Sequence, residues 1–253
     1  MMPLHVRLMA FDEVESTNTV VKHAIEAGEP EGLVVRARVQ TGGYGRQGRT
    51  WESPEGGLYQ SLLLRPVAPS AELPTLALAA ALAVRAALLR TGGLPEESIL
   101  VKWPNDIVCA AGKLVGISCE LHAGAVCLGV GVNVMRPAAR SAQHLAGKNA
   151  PAYLADLMRR ETSDAESLIS RVGDAVLDSI ATYYNRWQQE GFSIFADEFA
   201  ACSSLSGKRV RIADVGGNAM LEGTVSGVDA SGRLLVRTVA GETPVTSGEA
   251  HII

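Results

Sequence analysis

Between Ile99 and Val134 the chain alternates strand-like runs with turns too short for any crossover, and this constrains the fold more than any other feature. The run 99–103 is stopped by Pro104, which cannot donate to a β-ladder. The runs 107–110 and 113–121 are separated by Ala111-Gly112, and Ala123-Gly124 turns into the run 126–134. Parallel neighbours need a connection of about a dozen residues or more. Hairpin spacing of this kind therefore predicts antiparallel pairing rather than βαβ units. Upstream, residues 4–11 predict a first strand. Ser16 or Thr17 caps a helix that Gly28 ends. Residues 33–39 alternate as a half-buried strand, and 58–65 form the next. Residues 74–90 are apolar almost all round, which predicts a buried helix ended by Gly92-Gly93. Downstream come helices over 151–160, from the capping box Ser163-Asp-Ala-Glu166 to about Glu190, and over 192–201. After Ser206 the strands 209–212, 221–228, 234–239 and about 250–253, with glycine turns between them, predict a small barrel. We expect a larger domain over 1–204 and a small one over 205–253.

Composition limits the function. A chain of 253 residues that is 47% hydrophobic and 20% charged can bury a real core. A net charge of -4 gives no footprint for nucleic acid or an anionic membrane. The four cysteines form no Cys-x-x-Cys pair, and three lie in apolar strands, so they are expected to be reduced core residues. No basic n-region precedes an apolar run at the N-terminus, and the apolar stretch 73–89 is short for a bilayer and interrupted by Arg85. A soluble cytoplasmic protein is expected.

Chemistry concentrates in a few stretches. From Gln40 to Trp51 the chain reads Gln-Thr-Gly-Gly-Tyr-Gly-Arg-Gln-Gly-Arg-Thr-Trp. Its glycines permit tight turns and close approach, and Arg46 and Arg49 are cationic forks suited to carboxylate or phosphate. Either a solvated hairpin loop or a cationic flap over an anion fits this stretch alone. Lys102, in Lys-Trp-Pro-Asn-Asp106, ends an apolar strand. It needs an anionic partner, either Asp106 or a ligand. Gly112-Lys-Leu-Val-Gly-Ile117 fails the phosphate-loop pattern. Gly129-Val-Gly-Val-Asn133 lies on a strand and opens no helix, so it is not a dinucleotide fingerprint. Glycines on a strand mark close packing against the backbone.

Taken together, Ser16-Thr17-Asn18, Gln40, Gly43-Tyr-Gly-Arg-Gln-Gly-Arg49 with Trp51, Lys102-Trp-Pro-Asn-Asp106, Gly112-Lys-Leu-Val-Gly-Ile117 and Gly129-x-Gly-x-Asn133 resemble the biotin protein ligases, in order and spacing across almost the whole chain. The resemblance implies an α+β fold: a mixed sheet flanked by helices, like the class II aminoacyl-tRNA synthetases and lipoate ligases, with a small C-terminal SH3-like β-barrel. It implies that biotin and ATP give biotinyl-5′-AMP, and that a lysine of a biotin carboxyl carrier domain, as in acetyl-CoA carboxylase, then attacks the anhydride. It implies Lys102 and Arg46 as catalytic. Ser16, Thr17, Asn18, Gln40, Gly43, Gly45, Arg46, Arg49, Trp51, Lys102 and Gly116 fall on the biotin side. Arg46, Arg49, Trp51, Asn105, Lys113 and Asn133 fall on the nucleotide side. Mg²⁺ is implied with ATP, with no metal ligands assigned. Family members are monomers or homodimers. Two departures stand out: Tyr44 replaces an arginine common in the family's loop, and the C-terminus lacks the arginine some members place near ATP. The catalytic motifs begin close to Met1, so we expect no DNA-binding module, and no nucleic-acid or membrane partner. Lipoate or octanoate chemistry on the same scaffold, or a non-enzymatic biotin sensor, are the alternatives.

Overall fold

The computed structural model describes residues 4–137, 150–158, 164–214 and 216–253. The first half of the chain forms β1 (Arg7–Val14), α1 (Thr17–Glu26), β2 (Leu33–Gln40), β3 (Gly57–Leu64), α2 (Leu76–Gly92), β4 (Leu100–Lys102), β5 (Asp106–Cys109), β6 (Gly112–His122) and β7 (Ala125–Asn133). The seven strands make one sheet in the order β1-β2-β3-β7-β6-β5-β4. Only β1 and β2, joined through α1, pair in parallel. The hairpin-spaced strands pair antiparallel, as their short turns require.

Helices cover both faces of this sheet. Val21 and Ile25 of α1 pack with Leu33, Val35, Leu63 and Cys127 on one side. On the other, Val34, Leu62 and Leu128 share a core with α2 and with α4 (Ala165–Glu190). Two-sided cover explains why Leu33, Val34 and Val35 are all buried, where the alternation predicts one buried face, and why every residue of β3 is buried. By length and composition the stretch Leu73–Gly92 is apolar enough to cross a membrane, yet its most apolar window is 72% buried inside the fold. Its one charged core residue, Arg85, is answered by the carbonyls of Ile99 and Glu96 and by the Glu96 carboxylate at 2.8 Å. Gly93 ends the helix at φ +60°, a left-handed cap that costs glycine little.

Three expectations shift in the helical part. The helix expected over 151–160 is one turn, α3 (Leu154–Leu157), with Met158 already extended; residues 159 and 160 lie outside the described residues. The long helix α4 is capped by Asp164, whose carboxylate accepts from the Ser167 amide, rather than by Ser163, which also lies outside the described residues. Residues 192–201 divide into a 3₁₀ turn and α5 (Ala196–Ala201).

The C-terminal module holds β8 (Arg209–Ala213), β9 (Ala219–Val228), β10 (Leu234–Thr238), β11 (Gly241–Val245) and β12 (Glu249–Ile252), in the order β11-β10-β9-β8-β12. The strand absent from the sequence reading is β11. It contains Pro244, which a central strand would reject but an edge strand tolerates. The module shares the main core through Val210, Val225 and Leu234. It is also tied to β4 by the buried Trp103 indole, which donates to the Gly232 carbonyl at 3.0 Å. Trp103→Phe leaves a smaller aromatic ring and orphans that carbonyl. We expect a stability loss of about 1–3 kcal/mol in urea titration, and a loss below about 0.5 kcal/mol would show the tie to be dispensable.

The four cysteines are free. Burial pushes the Cys119 thiol up to about 12 and the Cys202 thiol up to about 11, as expected of core residues rather than nucleophiles.

Candidate active site

One cleft of about 740 Å³ gathers residues from nearly every sequence motif: Ser16–Asn18, Gln40, the loop 44–51, Lys102–Asp106, the β6 and β7 glycines, Asn133, and Glu249 from the C-terminal module. Its two ends differ in chemistry.

One end is a buried polar pocket. Ser16, Thr17 and Asn18 are almost fully buried at the start of α1. Ser16 makes no side-chain capping bond. The Thr17 amide, one of the free donors at a helix start, donates to Gln40 Oε1 at 2.9 Å, and the Thr17 hydroxyl lies 3.1 Å from the same oxygen. Gln40 in turn donates to Ser53. Asn18 Oδ1 accepts from Ser61 at 2.6 Å, and Asn18 Nδ2 reaches Ser118 at 3.0 Å and Glu120 at 3.1 Å. Capping, the simple sequence reading of residues 16–18, is thus replaced by a network with β2, β3 and β6. Ser53, Ser61, Ser118 and Glu120 had no motif to mark them; Ser61 and Ser118 are single hydroxyls in strands.

The glycines make room. Gly116 and Gly131 are register partners on β6 and β7, and the Trp51 ring lies across both. A Cβ at Gly131 would stand 2.6 Å from the Trp51 indole nitrogen, and one at Gly116 2.9 Å from the ring. The strand glycines therefore let the last residue of the loop lie flat on the sheet. Gly43 is equally restricted, because its Cβ would fall 2.5 Å from the Ser53 hydroxyl. Gly45 donates its amide to the Arg49 carbonyl, so the loop is a small self-bonded hairpin.

The other end is cationic. Lys102 stands at the end of β4. Its register partner Asp106 is engaged instead by Lys113 at 2.8 Å, so the Lys102–Asp106 pair does not form, and among the described residues no carboxylate lies within ion-pair distance of Lys102. Lys113 also sits 5.2 Å from the Trp51 ring centre. Arg46 donates to Asn105 Oδ1 at 3.0 Å, and Asn105 donates to the Ile117 carbonyl. Burial lowers the Arg46 pKa, while Asp106 and Glu249 oppose the effect; an arginine remains charged regardless. Arg49 forms an ion pair with Glu249 of β12. Asn133 donates to the Lys113 carbonyl at 3.1 Å, which supports that strand end. Where the sequence reading looked for a C-terminal arginine, the C-terminus brings a carboxylate to the loop. No motif marked Glu249.

Known proteins resemble this chain along most of its length. Residues 10–134 match the model of the biotin/lipoate A/B protein ligase family, and residues 205–251 match the biotin protein ligase C-terminal domain. The biotin--[acetyl-CoA-carboxylase] ligase of Paracoccus denitrificans is 33% identical over 229 residues, covering 85% of this chain and 88% of that one. The bifunctional ligase/repressor BirA of Bacillus subtilis is 29% identical over 253 residues, covering 97% and 74%. Among solved structures, the biotin protein ligase of Aquifex aeolicus in complex with biotin and ATP superposes with a TM-score of 0.81 at 28% identity, covering 98% of each chain. The mixed seven-stranded sheet, its flanking helices and the small C-terminal sheet define a biotin ligase-like α+β scaffold of the enzyme class. Within it, the chain belongs to the biotin protein ligase family.

Proposed function

We propose that this chain activates biotin with ATP as biotinyl-5′-AMP and transfers the biotinyl group to a lysine of a biotin carboxyl carrier domain of acetyl-CoA carboxylase or a related carboxylase, in the cytoplasm. The observation that carries this reading is a single cleft that joins a buried polar pocket to the cations Arg46, Arg49, Lys102 and Lys113, of which Arg46 and Lys102 have no carboxylate within ion-pair distance among the described residues.

Thr17, Asn18 and Gln40, with Ser16 beside them, offer donors and acceptors to the ureido ring of biotin. The Trp51 ring, laid on Gly116 and Gly131, offers an apolar wall to the rest of the molecule. The carboxylate then points to the cationic end. Its oxygen attacks the α-phosphorus of ATP, the bond to the bridging β-oxygen breaks, and pyrophosphate leaves. Lys102 lies between the two reacting anions and offsets their repulsion, and Arg46 adds charge from the loop. Arg49, Lys113, Asn105 and Asn133 serve the nucleotide, with Asp106 positioning Lys113. In the second step the amine of the carrier lysine attacks the carbonyl, and AMP leaves. The anhydride is water-sensitive, which gives a closing loop from Gly43 to Trp51 its purpose. We assign this chemistry to residues 1–204 and give 205–253 a supporting part through Glu249.

Magnesium enters as part of the substrate. Among the described residues no three His, Cys, Asp or Glu side chains gather as a metal site. The donor set suits an ion that arrives on the ATP phosphates and keeps its waters.

The test is transfer of biotin to a purified carrier domain. We expect transfer with ATP and Mg²⁺, loss of it with EDTA, and no comparable transfer of lipoate or octanoate. Equal transfer of lipoate would replace biotin as the substrate, and the absence of any acyl-AMP would defeat the enzymatic reading.

A further inference from the structure

The loop has an anchor outside the cleft. Tyr44, where the family resemblance predicts an arginine, pairs with Thr50 across the loop hairpin, and its side chain turns toward α1. Lys22 donates to the Tyr44 hydroxyl at 2.9 Å, and its ammonium lies 5.3 Å from the centre of the same ring. Lys22 also pairs with Glu120 Oε2 at 2.5 Å, while Glu120 Oε1 accepts from Asn18. Two spacings produce this arrangement. Asn18 and Lys22 are four residues apart on a helix and share a face. Ser118 and Glu120 are two apart on a strand and share a face. The two pairs therefore stand opposite each other. Burial works against the Lys22 charge, but the hydrogen bonds to Glu120 and Tyr44 outweigh it and hold the ammonium above its ordinary pKa.

Two of the loop's other ties, Arg46 to Asn105 and Arg49 to Glu249, use cations that face the cleft. An anionic substrate competes for both. Lys22 is not part of the cleft wall, whereas Tyr44 is, so this tie survives substrate binding. Glu120 links it to Asn18 in the polar pocket.

Resting on the ligase reading above, we infer that Lys22 is a positioning residue that latches the loop through Tyr44, and that this latch, relayed by Glu120 to Asn18, retains the acyl-adenylate until the acceptor arrives. Where an arginine is common in the family's loop, a tyrosine held from outside replaces charge with a fixed position.

The test separates retention from chemistry. In a single turnover without carrier domain, biotinyl-AMP recovered in the filtrate measures escape, and pyrophosphate release measures formation. Lys22→Met is expected to raise escape about tenfold, from loss of the charge-assisted hydrogen bond to Tyr44 that ties the loop, with formation at saturating substrate unchanged. Tyr44→Phe, which removes one oxygen only, should also raise escape, and Lys22→Arg should restore retention. Trypsin cleavage after Arg46 or Arg49 without substrate gives a readout independent of catalysis, and both variants should be cut faster than the parent. Unchanged escape in both variants, or formation falling in step with retention, overturns the latch. If the parent makes no adenylate, the ligase reading fails, and the trypsin rates alone decide: equal rates overturn the latch and faster cutting of both variants supports it.

Discussion

Lys102→Ala is expected to reduce biotinyl-AMP formation about a hundred- to a thousandfold, the usual cost of deleting one group that stabilises charge in a transition state. Lys102 ends β4 beside the buried Trp103, so its position is set by the sheet and not by a mobile loop. Asp106, the nearest acid in sequence, is already paired with Lys113. The Lys102 charge is therefore available for a ligand, and the variant leaves no carboxylate orphaned. Folding should be little affected. Biotin-dependent exchange of labelled pyrophosphate into ATP measures the step directly. Near-parental exchange would remove Lys102 from the mechanism, and the reacting carboxylate would then have to be placed near Arg46.

Gly129→Ala is expected to disable the opposite end of the cleft. Gly129 lies on β7 between Ser61 of β3 and Ser118 of β6, its register partners on either side. A Cβ there would stand 2.4 Å from Asn18 Oδ1 and 2.5 Å from the Ser118 hydroxyl. Both atoms end short, buried side chains held by hydrogen bonds in the network that positions Thr17 and Asn18. The methyl must break the bonds from Asn18 to Ser61 and Ser118. Each buried polar group left unsatisfied costs about 1–3 kcal/mol. We expect the unfolding free energy to drop by about 2–4 kcal/mol and the affinity for biotin to fall more than about tenfold, read by denaturation and by calorimetric titration. Undiminished biotin affinity would mean that the ring of biotin does not sit against Asn18.

Much of this was legible in the residue text. Hairpin spacing from Ile99 to Val134 implied the antiparallel half of the sheet, because a short turn leaves no other option. The glycine-arginine loop, the strand-end lysine and the strand glycines each indicated close approach or unpaired charge, and the structure brings them into one cleft. The short range of those signals is also their limit. A serine inside an apolar strand carries no mark of function until the facing helix is known, so Ser61 and Ser118 were silent. Glu120 and Lys22, about a hundred residues apart, gave no sign of each other. β11 was hidden by Pro244, because edge and central strands differ only in what lies beside them.

By itself the sequence determined most of the strands and the two long helices, and that cations and glycines cluster at particular chain positions, because turn length, periodicity and steric freedom act over a few residues. Only the tertiary structure decided who partners whom. Asp106 is held by Lys113 and not by Lys102, Thr17 meets Gln40 in place of a cap, and Glu249 from the far end of the chain reaches Arg49. Those choices depend on a few ångströms of distance and on what burial leaves within reach, and neither is written in the order of the residues.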